Sequence, residues 1–247
     1  MPFSFLQRTR SISATKRFPP FSVDVHAHIL PSLDNGPETL DESISLLHEM
    51  SKYGIRKIIA TPHIMGDYYK NSIETIRNAQ EILALEITRR CIPIELEVAA
   101  EYYLDVSFLS ILETNQPILS IADTYLLLET SIIGKPSFLE EAIDLIQQRN
   151  LIPILTHPER YHYLQQDFDQ VRYLHHKGIL FQVNLGSWNS PHLATRTLSE
   201  RLINEGLVAF VGSNVHNLRE WSLAREALRS KTFAQLVEKG LFNQRLL

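Results

Sequence analysis

The chain reads as an α/β protein whose parallel strands close into a β/α barrel, and three observations predict it. From residue 21 onward, seven short apolar runs alternate with amphipathic helical patterns. Several of the runs are continuously apolar, as strands covered on both faces are. Six of the seven end at a histidine or a glutamate. An open sheet collects functional groups mainly at one switch point, whereas a barrel collects them from all round its rim. A length of 247 residues suits one such barrel.

The predicted strands are 22–26, 56–60, 94–99, 125–129, 152–156, 179–183 and 207–212. The first helix follows from Leu40, Ile44, Leu47 and Met50, spaced by three or four, with Thr39 and Glu42 as a capping box and Gly54 as its stop. The second is expected to start at Asn71, with Glu74 three residues on, and to end near Arg89 and Arg90. Another starts at Ser137 with Glu140 as reciprocal partner, turning Ala142, Ile143 and Ile146 inward. Further helices are expected over 169–177, 194–205 and 217–229. There is no internal repeat, low-complexity tract or second domain in the pattern. Residues 1–20 form a basic, acid-free arm ending at Pro19 and Pro20, and residues 21–247 form the catalytic-type domain. The arm lacks the apolar stretch that a secretory signal carries after its charges.

Composition narrows the function. A net charge of −4 provides no basic field, which argues against nucleic acid as a partner. No apolar stretch approaches the ~18 to 20 residues of a membrane helix, so membrane insertion is not expected. Cys91 is the only cysteine, which excludes an internal disulfide and fits the cytoplasm. Assembly into a homo-oligomer is compatible with this composition.

The strand-end residues are His26 and His28, His63, Glu101, Glu129, His157 and His216. Imidazoles and carboxylates at one end of successive strands converge as divalent metal ions require. Glu129 closes the wholly apolar run Tyr125-Leu-Leu-Leu, where an unpaired carboxylate would be costly and a metal ion removes the cost. Arg160, three residues after His157, suits a multi-donor grip on phosphate; its bland alternative is an ion pair with Glu159. Arg219 is a weaker candidate for the same substrate-binding task. Tyr68, Tyr69, Tyr102, Tyr103 and Trp188 are candidates to stack on an aromatic substrate. His48, His162, His175, His176 and His192 read as surface or packing residues.

The segments Asp24-Val-His-Ala-His28-Ile-Leu-Pro, Thr61-Pro-His63, Ala100-Glu101-Tyr-Tyr, Leu128-Glu129, His157-Pro-Glu-Arg-Tyr161 and His216-Asn217-Leu resemble the polymerase and histidinol phosphatase (PHP) superfamily. Within it they are most similar to the capsular polysaccharide (CpsB/CapC-like) branch of manganese-dependent tyrosine-protein phosphatases. The resemblance covers about residues 22–220. It implies a distorted seven-stranded, TIM-barrel-like β/α barrel with two or three divalent ions, manganese first and iron, zinc or magnesium as alternatives. It implies a phosphotyrosine-bearing partner, a bacterial tyrosine autokinase of polysaccharide export. By position it adds Asn35 and Asn214 to the metal-ligand set, and it gives Arg160, His157 and Asn214 catalytic places.

At two of those positions the chain departs from the family, which reads aspartate where Asn35 and Asn214 stand. An amide oxygen can coordinate a metal but carries no charge and takes no proton. Glu101 and Glu129 are then the only anionic members of the nine-residue set. Two alternatives to an active tyrosine phosphatase follow: a catalytically impaired relative that binds phosphotyrosine or a kinase tail, and a histidinol-phosphatase-like enzyme for small molecules.

Overall fold

β-branched and leucine-rich runs supply seven strand paths, two of them broken. In the computed structural model, which describes residues 21–246, the first is Val23–Ala27 (β1). The second is Lys57–Ala60 (β2) followed by His63–Ile64 (β3), and the third Glu95–Val98 (β4) followed by Glu101–Tyr103 (β5). Then come Tyr125–Glu129 (β6), Ile152–Thr156 (β7), Leu180–Asn184 (β8) and Val208–Gly212 (β9). All pairings between these strands are parallel, in the orders β1-β2-β4 and β3-β5-β6-β7-β8-β9. The breaks at Thr61-Pro62 and Ala99-Ala100 separate the two sheets, and proline, lacking an N–H, cannot continue a ladder.

The first and last paths meet. Asn214 N donates to His26 O at 2.7 Å and His28 N to Val215 O at 2.9 Å, joining β9 to β1 at their C-terminal ends. Lower down, the buried side chain of Asn243 bridges the same seam. Its Nδ2 donates to Val23 O at 3.0 Å and Val211 O at 2.6 Å, and its Oδ1 accepts from Val211 N at 3.0 Å. The result is the distorted seven-stranded barrel expected. Val23, Val25, Ile59, Leu127, Ile154 and Phe210 fill its interior, and a larger apolar layer lies between strands and helices.

The helices are Leu40–Lys52 (α1), Ile73–Arg89 (α2), Val106–Glu113 (α3), Leu139–Gln148 (α4), His162–Gln166 (α5), Phe168–His176 (α6), Leu193–Asn204 (α7), Leu218–Ala227 (α8) and Lys231–Lys239 (α9). The Thr39/Glu42 capping box forms as expected, and Gly54 follows α1 at φ 94°. Two expected starts shift. Ser72, paired with Thr75, caps α2, because the Asn71 amide is drawn away to Leu33 O and His63 O, both at 2.8 Å. α4 has no side-chain cap, because Glu140 pairs with Lys135 at 2.6 Å instead of turning back. The basic arm expected over residues 1–20 lies outside the described residues. Among those described, no helix is long and apolar enough to cross a membrane.

Candidate metal centre

The C-terminal rim of the barrel is where the histidines gather, and β1 shows how. A strict period of two would keep Val23, Val25 and Ala27 on one face. The register against β2 slips between Asp24 and Ala27, Ala27 leaves the interior for the outer layer, and both His26 and His28 turn to the mouth. Gly212 on β9 makes room for them, since a Cβ there would stand 2.5 Å from that of His26.

Three rings are held from behind through Nδ1. His26 Nδ1 lies 2.7 Å from Gln182 Oε1, His28 Nδ1 2.7 Å from Asp34 Oδ2, and His216 Nδ1 3.0 Å from Glu220 Oε2. Each bond leaves Nε2 for the centre, the arrangement in which a neighbour fixes the tautomer of a metal-binding histidine. The rings of His28 and His216 stack at 4.1 Å and 7°.

Glu101 stands in the middle, fully buried. Four imidazole nitrogens surround its carboxylate: His26 Nε2 at 3.1 Å, His157 Nε2 at 3.2 Å, His63 Nδ1 at 3.3 Å and His28 Nε2 at 3.4 Å. Glu129 adds a second carboxylate, 3.5 Å from His63 and 3.7 Å from His157. His157 sits in the left-handed region at φ 33°, turning the chain sharply from β7 into the Pro158–Arg160 turn. Three overlapping groups have donor atoms within 4.8 Å of one another: His26, His28 and Glu101; His63, Glu101 and Glu129; His28, His63 and His216.

Burial and charge divide the protonation states of the centre. Burial pushes Glu101 up, but the surrounding histidines more than offset it and hold it well below its ordinary range. Burial and the Glu101 charge push Glu129 up to about 8. Burial lowers His63 to about 4 and His157 to about 3, and lowers His216 too, which keeps these rings as neutral donors. His28 goes the other way: burial opposes its charge, yet Asp34 and Glu101 raise it to about 10. Buried and without hydrogen-bond partners among the described residues are His63 Nδ1, Glu101 Oε1, His157 Nδ1 and His216 Nε2. Such orphaned atoms are costly unless something binds them, and a divalent cation fits the inward-facing ones.

An open cleft of about 820 Å³ lies over these groups, walled by His63, Glu129, His157, Arg160, Asn214 and His216, among others. Asn35 and Asn214 both line it. It is Asp34 that turns inward behind His28, while Asn35 is exposed on the cleft side. Arg160 has no ion pair with Glu159, whose buried carboxylate accepts from Asn184 N at 3.0 Å and Ser187 Oγ at 2.6 Å. Arg219 is exposed and not part of the cleft wall, for α8 turns Glu220, Leu223, Ala224 and Glu226 to it instead. Of the aromatic candidates, Tyr103 lines the cleft and Tyr69 stacks on His63 at 5.5 Å. Tyr68 is exposed, and Tyr102 and Trp188 are packed in the core. His192, read as a surface residue, is exposed and also borders the cleft. Asp34, which the sequence offers only as a stand-in ligand beside Asn35, and Gln182 and Glu220 prove to be orienting groups behind the rings. Gln182 also carries a signal, as a polar residue inside the apolar run Ile179–Val183.

Fold and donor set together define a barrel protein with a candidate metal centre at its C-terminal rim. The sequence profile of the family described as capsular polysaccharide synthesis, CpsB/CapC, matches residues 22–236. Tyrosine-protein phosphatase YwqE of Bacillus subtilis is 31% identical over 205 residues, 80% of this chain and 78% of that one. Tyrosine-protein phosphatase CpsB of Streptococcus agalactiae is 27% identical, covering 79% of this chain and 83% of that one. A solved structure from the pair YwqE of B. subtilis and CpsB of Streptococcus pneumoniae, described as unique metal-dependent tyrosine phosphatases, superposes with a TM-score of 0.75. It is 29% identical and covers 91% of this chain and 89% of that one. The phosphotriesterase homology protein of Escherichia coli, 13% identical with a TM-score of 0.54 and covering 93% of this chain and 96% of that one, shares the fold alone. The chain belongs to the CpsB/CapC family.

Proposed function

We propose that the chain is a metal-dependent protein-tyrosine phosphatase of capsular or exopolysaccharide biosynthesis. Its substrate is a phosphotyrosine-bearing protein in the cytoplasm, a tyrosine autokinase of polysaccharide export. The observation that carries this reading is the buried Glu101 carboxylate ringed by four imidazole nitrogens at 3.1 to 3.4 Å beneath an open cleft. The named relatives, all tyrosine phosphatases, support the substrate class.

His26, His28, His63, Glu101, Glu129, His157 and His216 would hold divalent ions, manganese first among them, with Asn35 and Asn214 as neutral donors. Bound ions supply charge neutralisation for phosphoryl oxygens and acidify water. The chain's own groups do the rest. Arg160, at the cleft wall with no ion pair among the described residues, neutralises charge on the equatorial oxygens of the transferring phosphoryl group. His157, its Nε2 3.2 Å from Glu101 and 3.7 Å from Glu129, would hold an ion between the two carboxylates beneath the substrate. Asn214, with its backbone tied to His26 O, offers an amide that orients a water but takes no proton from it. A phenolate leaving group, with parent pKa about 10, needs little acid assistance.

The amides at Asn35 and Asn214 favour one further reading, a weakened relative that retains phosphotyrosine without efficient turnover. Phosphate release from a phosphotyrosine peptide, from histidinol phosphate and from a simple aryl phosphate, with and without manganese, separates the cases. Manganese-dependent release from the peptide, abolished in His157→Ala, is expected. Preference for histidinol phosphate, or turnover indifferent to metal, would overturn the proposal.

A further inference from the structure

We propose that this centre holds two divalent ions tightly and a third only weakly, an inference that rests on the metal-centre reading above. Lone pairs and charge set the count. Three groups of donors converge here, but His28 belongs to two of them, with Glu101 and His26 in one and with His63 and His216 in the other. Its Nδ1 is already bonded to Asp34 at 2.7 Å, so only Nε2 remains. One nitrogen lone pair serves one ion.

Charge decides which ion keeps it. His28 Nε2 lies 3.2 Å from His26 Nε2 and 3.4 Å from Glu101 Oε2, so the carboxylate-bearing group already has its donors pointed together. Glu101 and Glu129 likewise serve the group around His63. What is left on the His216 side is neutral. The carboxylates in that sector, Asp34 and Glu220, are spent behind the rings of His28 and His216. Asn35 and Asn214, which also line the cleft, are amides, and the cleft-lining carboxylate beside His216, Glu220, is the one already bonded to its Nδ1. A third dication would sit beside two others with no anionic donor of its own, and repulsion at such separations is large in a partly desolvated site. His216 Nε2, buried and without a partner among the described residues, keeps that position weakly attractive rather than absent.

The test counts ions on the full chain, stripped with chelator and reloaded with manganese, by elemental analysis after desalting and by calorimetric titration. Two manganese ions per chain are expected to survive desalting. His216→Ala is expected to keep both, because neither tight position uses it. Asn35→Asp with Asn214→Asp is expected to retain a third ion, or to tighten its binding about tenfold or more. Three ions retained by the unaltered chain, loss of a tight ion in His216→Ala, or a correctly folded double variant still limited to two would each overturn the inference. Retention of no ion at all would instead remove the metal-centre reading on which it stands.

Discussion

Oδ2 of Asp34 accepts a 2.7 Å hydrogen bond from Nδ1 of His28, with both side chains almost wholly buried. The same carboxylate accepts from His63 N at 3.0 Å and from Gly36 N at 2.9 Å. Every proton it meets comes from a donor, so a carboxylate fits and an amide does not. Asp34→Asn must aim its NH2 group at one of those N–H groups or at the ring. We expect the variant to stay folded and to bind manganese about 10- to 100-fold more weakly. Unchanged affinity in calorimetric titration would remove Asp34 from the design of the centre.

The same pair sets a pH dependence in the metal-free protein. His28 is raised to about 10 from an ordinary 6.5, and Asp34 is held below its ordinary 3.8. A raised histidine contributes stability that is complete below pH 6.5 and is lost as pH climbs through about 10; a depressed aspartate contributes above 3.8 and loses it in acid. Metal-free chain is therefore expected to lose stability from neutral to alkaline pH, a trend that Asp34→Asn flattens. Metal binding at pH 7 must also expel the His28 proton when Nε2 becomes a ligand, and with it the proton that Glu129, raised to about 8, still carries. Calorimetry in buffers of different ionisation enthalpy reads the protons released; a heat independent of buffer contradicts their release.

Asn243 offers a test of the seam. Replacing it with alanine leaves Val211 N, Val211 O and Val23 O without the partners that the side chain supplies. Buried backbone groups left unpaired cost about 1 to 3 kcal/mol each, reduced where water enters. Asn243→Ala should lower stability by ~2 to 4 kcal/mol in chemical denaturation, and Asn243→Asp, which keeps one acceptor, should recover part of it. A variant as stable as the parent would show that β1 and β9 hold together through their rim bonds alone.

How far the sequence spoke depends on what kind of interaction was asked of it. Strands 125–129 and 152–156 were legible residue for residue, because continuous apolar runs declare doubly covered strands. The histidines and glutamates were legible for the same reason, being polar residues at the ends of such runs. What stayed hidden is non-local. The slip in β1 that turns His26 inward depends on β2, and the drift of Asn71 from its capping place depends on Leu33 and His63. The short apolar helix α3 carries too little periodicity to read, and α9 lies beyond the last strand. Gln182 and Glu220 acquire their roles only when β8 and α8 come within reach of His26 and His216.

Arg160 is the group on which substrate charge should weigh most. Glu159 would be its obvious partner from sequence, yet that carboxylate is buried and spent on Asn184 and Ser187. Those bonds tie the loop after β8 to the turn after β7, and Arg160 is left at the cleft wall beside Glu129 and His157. Its charge is felt there, where it opposes protonation of both. A guanidinium offers a planar fork to two phosphoryl oxygens, whereas an ammonium offers a point charge. Arg160→Ala should reduce kcat/KM on a phosphotyrosine peptide by about 10²- to 10³-fold, as loss of an aimed donor to transition-state charge does. Arg160→Lys should recover only part of that, since it restores charge without the fork. Manganese content should stay the same in both variants, because Arg160 donates nothing to a cation; a loss of bound metal would mean that the arginine supports the centre's structure rather than the substrate.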